Sequence, residues 1–292
     1  MSDQILKPLP FRGGVEVGPV IEGRAIPTTP TPGPSPEGEG GIILNRRRLL
    51  GTGALGAGGL ILSGCDKLNS SPAFRSALIE ANSWHLGAQR ALGSGALARE
   101  YSVSDMSPNF RVNGNTDPKD SAYKAHAQAG FANWTLSVDG LVKRPMALPM
   151  TAIKAMQQRS QITRHDCVEG WSAIGQWQGP QLGQILSMAG LLPSARYAVF
   201  HCADRFGSSP YYESIDLVDA FHPQTILAWE MNGQPLSIGH GAPLRLRIER
   251  QLGYKHAKYV MRIELRDSLA GLFGGKGGFW EDAHDYQWYA GI

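Results

Sequence analysis

The stretch "GHGAPLRLRIERQLGYKHAKYV", residues 239–260, shows what kind of chain this is. Leu244, Leu246 and Ile248 alternate with Arg245, Arg247 and Glu249, and in the continuation "AKYVMRIEL" Tyr259, Met261, Ile263 and Leu265 repeat the pattern. A period of two sends successive side chains to opposite faces of extended backbone, so two strands are expected, each with one apolar face. The polar residues here, His240, Arg245, Lys255, His256 and Lys258, lie among Gly239, Gly241 and Gly253. That set suits an anion held by cations and close backbone N–H groups; it suits a charged solvent face equally well.

The neighbouring segments fill in a mixed pattern. "WTLSVDGLVKRPMAL" (134–148) reads as two strands turning at Asp139-Gly140, and "LPMTAIKAMQQR" (148–159) as a helix with Thr151 as N-cap. In "PQLGQILSMAGL" (180–191), Leu182, Ile185, Leu186 and Ala189 fall at helical spacing, and Gly190 stops the helix. "ARYAVFHCAD" (195–204) is a strand, "IDLVDAFH" (215–222) a short helix, and "QTILAWEMNGQPL" (224–236) a hairpin around Asn232-Gly233. With no internal repeat and no strand–helix alternation of a Rossmann type, the class is α+β with much strand.

A chain of 292 residues with 42% hydrophobic residues can bury a real core. Residues 1–64 hold 6 basic and 5 acidic side chains, leaving 22 against 20 downstream. That balance excludes nucleic acid as the main partner, which needs a concentrated basic face. Three cysteines, Cys65, Cys167 and Cys202, cannot make a disulfide framework.

The amino-terminal part reads as address and tether. Residues 27–41 are rich in Pro, Gly, Thr, Ser and Glu and bury too little to fold. Next, "NRRRLLGTGALGAGGLILSGC" (45–65) joins Arg46, Arg47 and Arg48 to fifteen residues, 49–63, that are apolar and glycine-heavy. That is short for a membrane span but has the layout of an export signal. The paired arginines resemble a twin-arginine signal, and Leu62-Ser63-Gly64-Cys65 resembles a bacterial lipobox with Cys65 as the lipid-bearing residue. A buried glycine-rich helix with a chance cysteine is the plainer alternative. The expected organisation is therefore 1–64 extension and signal, 65–100 tether with a short helix, and 101–292 catalytic domain.

Within "RHDCVEGWSA" (164–173), Cys167 taken alone reads as a buried structural thiol, the commonest fate of free cysteine. A Cys nucleophile with His165 or His201 as base stays open. No CxxC, HExxH, GxSxG, P-loop or CxxCH pattern occurs.

Taken in order, "RHDCVEGW", "LGQIL", "HCADRF", "PYYESIDL", "HPQTILAWEMNGQPL", "GAPLRLRIERQLGYKHAKYV" and "WEDAHDYQWYAGI" resemble the molybdopterin-binding family of the sulfite oxidase fold, across about residues 104–292. Within it the chain is most similar to the bacterial periplasmic branch that includes the catalytic subunit of protein-methionine-sulfoxide reductase; it lacks the Cys-Ala-Gly-Asn-Arg-Arg run of true sulfite oxidases. The resemblance implies a molybdenum–molybdopterin cofactor, with Cys167 as molybdenum ligand and catalytic residue. It implies Arg245 and Lys258 on the cofactor phosphate, with Lys255 near and the backbone of His256 and Ala257 as donors. His240 stands where that branch has Asn, and Cys202, a core thiol or a residue of the cofactor pocket, where it has Thr. The early contacts fall near Pro108, Asn109, Arg111 and Asn113, where Arg111 would favour an acidic substrate and join Cys167 in catalysis. Asp166, Glu169 and Trp171 would hold the ligand loop and shape one wall.

The implied activity is oxygen-atom transfer on sulfur, as sulfoxide reduction, in a periplasmic, lipid-anchored monomer. Electrons would pass to or from a membrane b-type cytochrome subunit or a soluble c-type cytochrome. Sulfite oxidation, a molybdenum-free cysteine enzyme and a lipoprotein binding module are the alternatives.

Overall fold

In the computed structural model, residues 71–93 and 95–292 are described. The expected export signal and Cys65 lie outside the described residues.

The helix α1 spans Pro72–Gly93 and is far longer than the short helix expected of a tether. Its end is clamped, since Arg90 donates to both carboxylate oxygens of Asp219 at 2.7 Å and to Asp216 at 2.8 Å. Beyond it, the Ala98 N–H donates to Gln224 Oε1 at 2.7 Å, and Gln224 Nε2 donates back to the Ala98 carbonyl at 2.9 Å. Arg90 and Ala98 are thus stitched to the body by an ion pair and paired amides, which departs from the tether expected there.

Next come α2 (Ser121–Gln128), β1 (Thr135–Gly140), β2 (Met146–Pro149) and α3 (Met150–Ala155). The expected N-cap Thr151 is a helical residue; the cap position is Pro149, whose ring suits the extended entry. The long strands β3 (Gln158–Asp166) and β4 (Ser172–Pro180) lead to α4 (Leu182–Ala189). All four apolar residues expected on one face of α4 are fully buried, with Leu182, Ile185 and Leu186 each contributing about 1.5–3 kcal/mol, and Gly190 ends the helix at φ 68°. The chain continues through β5 (Tyr197–Phe206), β6 (Ser209–Asp216) and the single turn α5 (Leu217–Ala220). It then forms β7 (Ile226–Ala228), β8 (Glu230–Met231) and β9 (Gln234–Pro235). At the β8–β9 turn, Asn232 (φ 52°) and Gly233 (φ 74°) both adopt the positive φ that a tight hairpin of this hand needs. The last elements are β10 (Arg245–Arg247), β11 (Val260–Arg266) and α6 (Phe279–His284).

The strands make a five-stranded sheet in the order β2-β1-β11-β5-β6, a four-stranded sheet β3-β4-β8-β9, and the pair β10-β7. Among the described residues only β1 and β11 pair in parallel, and the other named strand pairs are antiparallel, as suits an α+β fold. One apolar cluster joins α2, β1, α4, β5, β10 and β11 through residues such as Leu136, Ile185, Phe200, Leu246 and Ile263.

Two strand expectations change. The register of β11 shifts between Val260 and Arg262, so Val260 is fully buried and Met261 is 39% exposed, reversing the face expected for Met261. The polar side of 245–249 does not face solvent, because Arg245, Arg247 and Glu249 are all buried.

Candidate active site

Cys167 sits in the hairpin from β3 to β4. The Cys167 N–H donates to the Trp171 carbonyl at 2.9 Å, and the Gly170 N–H donates to the Cys167 carbonyl at 3.0 Å. Gly170 makes this turn at φ 83°, a backbone conformation that a side chain would strain. The Cys167 thiol is 8% exposed on the wall of a cavity, and Asn113 Nδ2 donates to its Sγ at 3.5 Å. Asp166 accepts from Arg164 Nε at 3.0 Å and from the Ser172 hydroxyl, while Glu169 accepts from Trp171 Nε1 at 3.1 Å. These bonds brace the loop. Glu169 lines the cavity; Trp171 instead packs edge-on against Phe110, at 6.2 Å between centroids, and so corrects its expected place in the wall.

Behind the loop, the charges of β10 are internal. Arg247 pairs with Glu249 at 2.6 Å with neither side chain exposed, and its Nη1 donates to His165 Nδ1 at 3.0 Å. A ring that accepts at Nδ1 is neutral and carries its proton on Nε2. Burial first, then the charges of Arg247, Arg245 and Lys258, holds the His165 pKa well below its ordinary value. His165 therefore has no free lone pair with which to deprotonate Cys167. His201 pairs with Glu264 Oε2 at 2.9 Å and is not part of the cavity wall. Neither His165 nor His201 is thus placed as the base of a cysteine nucleophile.

The opposite wall is cationic. Lys258 Nζ donates to the carbonyls of Asn113 (2.7 Å), Gly239 (3.0 Å) and Asn115. Burial, with the charge of Arg245 adding to it, pushes its pKa down to about 7. Arg245 lies over the Trp177 ring at 5.2 Å and donates to the His240 carbonyl at 3.3 Å, but its Nε is buried without a partner. Burial and the neighbouring Arg247 lower its pKa to about 9. Two buried cations held mainly by carbonyls, one with an unused donor, form a site that an anion completes.

One residue of this wall was not anticipated. Asp204, 3% exposed, lines the cavity with Oδ1 unpartnered, and burial lifts its pKa to about 7 against the pull of Lys258. Its sequence signal is an acid two positions after Cys202 in a largely apolar strand.

The other expected site residues fall as follows. Asn113 and His256 line the cavity; His256 Nε2 bonds the Gln251 carbonyl at 3.0 Å and its Nδ1 is unpartnered. Lys255 faces elsewhere, because the turn Gly253–Lys255 directs its ammonium into a fully buried triad with Glu281 (2.6 Å) and Glu213. The N–H groups of His256 and Ala257 donate to the Gly253 and Lys255 carbonyls, both at 3.1 Å, so the turn consumes the expected backbone donors. Cys202 is a core thiol in the main apolar cluster, its pKa raised by burial. His240 stands outside the lining, bonded to Ser237 Oγ (2.8 Å) and the Phe110 carbonyl (3.2 Å), and contributes its own carbonyl to Arg245. Asn109 and Arg111 are exposed and also lie outside the lining.

Residues 123–271 match the family described as the oxidoreductase molybdopterin binding domain. The chain belongs to this family. The arrangement fits the family's molybdenum–molybdopterin cofactor: a soft sulfur donor at Cys167, a pair of buried cations at Arg245 and Lys258 that suits a phosphate, and a buried carboxyl at Asp204 for a heterocycle's N–H groups. Among named relatives, a protein-methionine-sulfoxide reductase subunit YedZ1 of Azospira oryzae is 41% identical over 55% of this chain and 56% of its own length. The protein-methionine-sulfoxide reductase catalytic subunit MsrP of Xanthomonas axonopodis is 33% identical over 53% of this chain and 50% of its own. MsrP of Xanthomonas campestris is 31% identical over 78% and 72%. The chain thus spans about half the length of the first two relatives. The sulfane dehydrogenase SoxCD of Paracoccus pantotrophus aligns with a TM-score of 0.44 and 21% identity over 47% of this chain and 39% of that one, too slight a likeness to carry an inference.

Proposed function

We propose that this molybdopterin-binding oxidoreductase reduces a sulfoxide, the oxidised methionine of a protein, to the thioether. The reaction takes two electrons and two protons and releases water, and the electrons come one at a time from a separate cytochrome, as a membrane b-type subunit. The observation that carries the reading is the Cys167 thiol facing a cavity whose other wall holds Arg245 and Lys258. When bound, the cofactor supplies the two-electron oxygen-transfer chemistry. Cys167 provides the thiolate, and Asn113 orients that sulfur through its amide. Arg245 and Lys258 neutralise the phosphate, and Asp204 accepts from the heterocycle.

The direction of transfer is supported by the charge of the mouth. Glu169 lines the cavity beside the exposed Val168, while Arg111 lies outside it. An acid at the entrance repels sulfite and is indifferent to a neutral sulfoxide. The relatives' names point the same way. The chain works in the periplasm as a monomer, held to the membrane by lipid on Cys65, after twin-arginine export with its cofactor in place.

Elemental analysis of the purified protein tests the reading. About one molybdenum per chain is expected, falling to background in Cys167→Ala; metal retained in that variant overturns it. Steady-state assays then compare methionine sulfoxide with sulfite, and turnover of sulfite alone reverses the direction.

A further inference from the structure

The helix α1 carries an apolar stripe on the side turned away from the body. Its last turns face inward, where Leu86, Gln89, Arg90 and Gly93 are half-buried and Arg90 is clamped by Asp216 and Asp219. Phe74, Leu78 and Trp84, in contrast, are 36%, 47% and 73% exposed. With Ala77 and Ala81, both exposed, they recur at intervals of three and four residues and so share one face. His85 interrupts this face, bonded to Gln89 at 3.2 Å, while Glu80 and Arg90 fall outside it by helical spacing. A stripe of this kind on a protein surface marks a contact, since leaving Phe, Leu and Trp together in water forgoes their burial.

The preceding chain says what the contact is. Only six residues, 66–71, separate Cys65 from Pro72, a reach of at most roughly 25 Å when fully extended. A lipid on Cys65 therefore keeps the start of α1 at the bilayer surface. Among the described residues no helix is long and apolar enough to cross a membrane, so α1 can lie on one but not span it. Its composition suits that position, with an aromatic ring that favours the headgroup boundary, aliphatic residues for the acyl region and a clamped opposite face.

We propose that α1 lies in the membrane interface with Phe74, Leu78 and Trp84 inserted into the lipid, so that the catalytic unit is oriented on the bilayer as well as tethered to it. The proposal rests on the reading of Cys65 as the lipid-bearing residue. The helix then fixes which side of the enzyme faces the membrane, which a flexible tether alone would leave free.

The test uses the full-length holoenzyme and vesicles of phosphatidylethanolamine and phosphatidylglycerol, with or without bromine on the acyl chains. Sedimentation reads the anchor; quenching of indole emission by the brominated lipid reads α1. The expected result is co-sedimentation together with a quenched component that is lost in Trp84→Phe. Co-sedimentation with quenching unchanged in Trp84→Phe leaves the anchor standing and overturns the proposal. Failure to co-sediment overturns both. Shielding of Trp84 that needs a reconstituted membrane cytochrome subunit assigns the stripe to a protein partner and also overturns it. A Cys65→Ser chain that still sediments and shows the Trp84 component establishes the helix contact without the anchor.

Discussion

Lys258 Nζ donates to the carbonyl of Asn113 at 2.7 Å, while the amide of the same Asn113 donates to Cys167 Sγ at 3.5 Å. One asparagine thus couples the proposed metal ligand to the proposed phosphate cation across the cavity. A change at either end reaches the other through a single residue.

Lys258→Met is expected to weaken cofactor binding by about 2–5 kcal/mol, the usual cost of deleting one member of a buried charge contact. The cofactor-free protein should lose much less, because burial and Arg245 already disfavour the ammonium. Cofactor content after dialysis, set beside urea unfolding of the cofactor-free form, separates the two. Equal losses in both would make Lys258 a structural residue.

Asp204 predicts a pH dependence. Its pKa rises from 3.8 to about 7 on folding, so between those values the native state binds a proton that the unfolded state has lost. The contribution of Asp204 to the stability of the cofactor-free protein therefore falls as pH rises from about 4 to 7, by roughly 4 kcal/mol at most, while buried histidines such as His165, whose pKa is depressed, act in the opposite direction. Asp204→Asn removes this limb, and urea midpoints at several pH values across the window would show it. Lys258 does not obscure the measurement, since its depressed pKa gives a contribution that grows only above about pH 7.

Lys255→Met leaves Glu213 and Glu281 buried together without a cation. The expected destabilisation is about 3–5 kcal/mol, read as a lower urea midpoint. Glu281→Gln should cost less, because the Lys255–Glu213 pair survives. The larger loss in Glu281→Gln would contradict this ordering.

Gly253→Ala brings a Cβ to 2.5 Å from the His165 ring, and the ring must move off its bond with Arg247. A loss of about 1–3 kcal/mol is expected. His165→Ala in the same chain should relieve part of it, so the two substitutions combine to less than their sum in a double-mutant cycle.

Much of the local structure was legible in the residues. The helix Leu182–Ala189 ends at Gly190 as its spacing requires, and Asn232-Gly233 makes the hairpin. The order of motifs pointed to the family to which the chain belongs, and singled out Cys167, Arg245 and Lys258. These features depend on neighbouring residues, where covalent geometry sets a period of two or of 3.6 and a glycine supplies a conformation that other residues resist.

What faced the cavity was decided by tertiary structure. Residues 245–249 alternate as a half-exposed strand would, yet both faces are buried because the Cys167 hairpin packs over the charged one through Arg247 and His165. Lys255 and Lys258 are three positions apart in one basic run, and an intervening turn sends the first into a carboxylate triad and the second to the cavity. Asp204 gains its role only when β5 is set against Lys258, whose own partner Asn113 is 145 residues away in the chain. Period and turn chemistry are properties of a few consecutive residues and can be read from them. The environment of a buried charge depends on segments that meet only after folding, which no local pattern encodes.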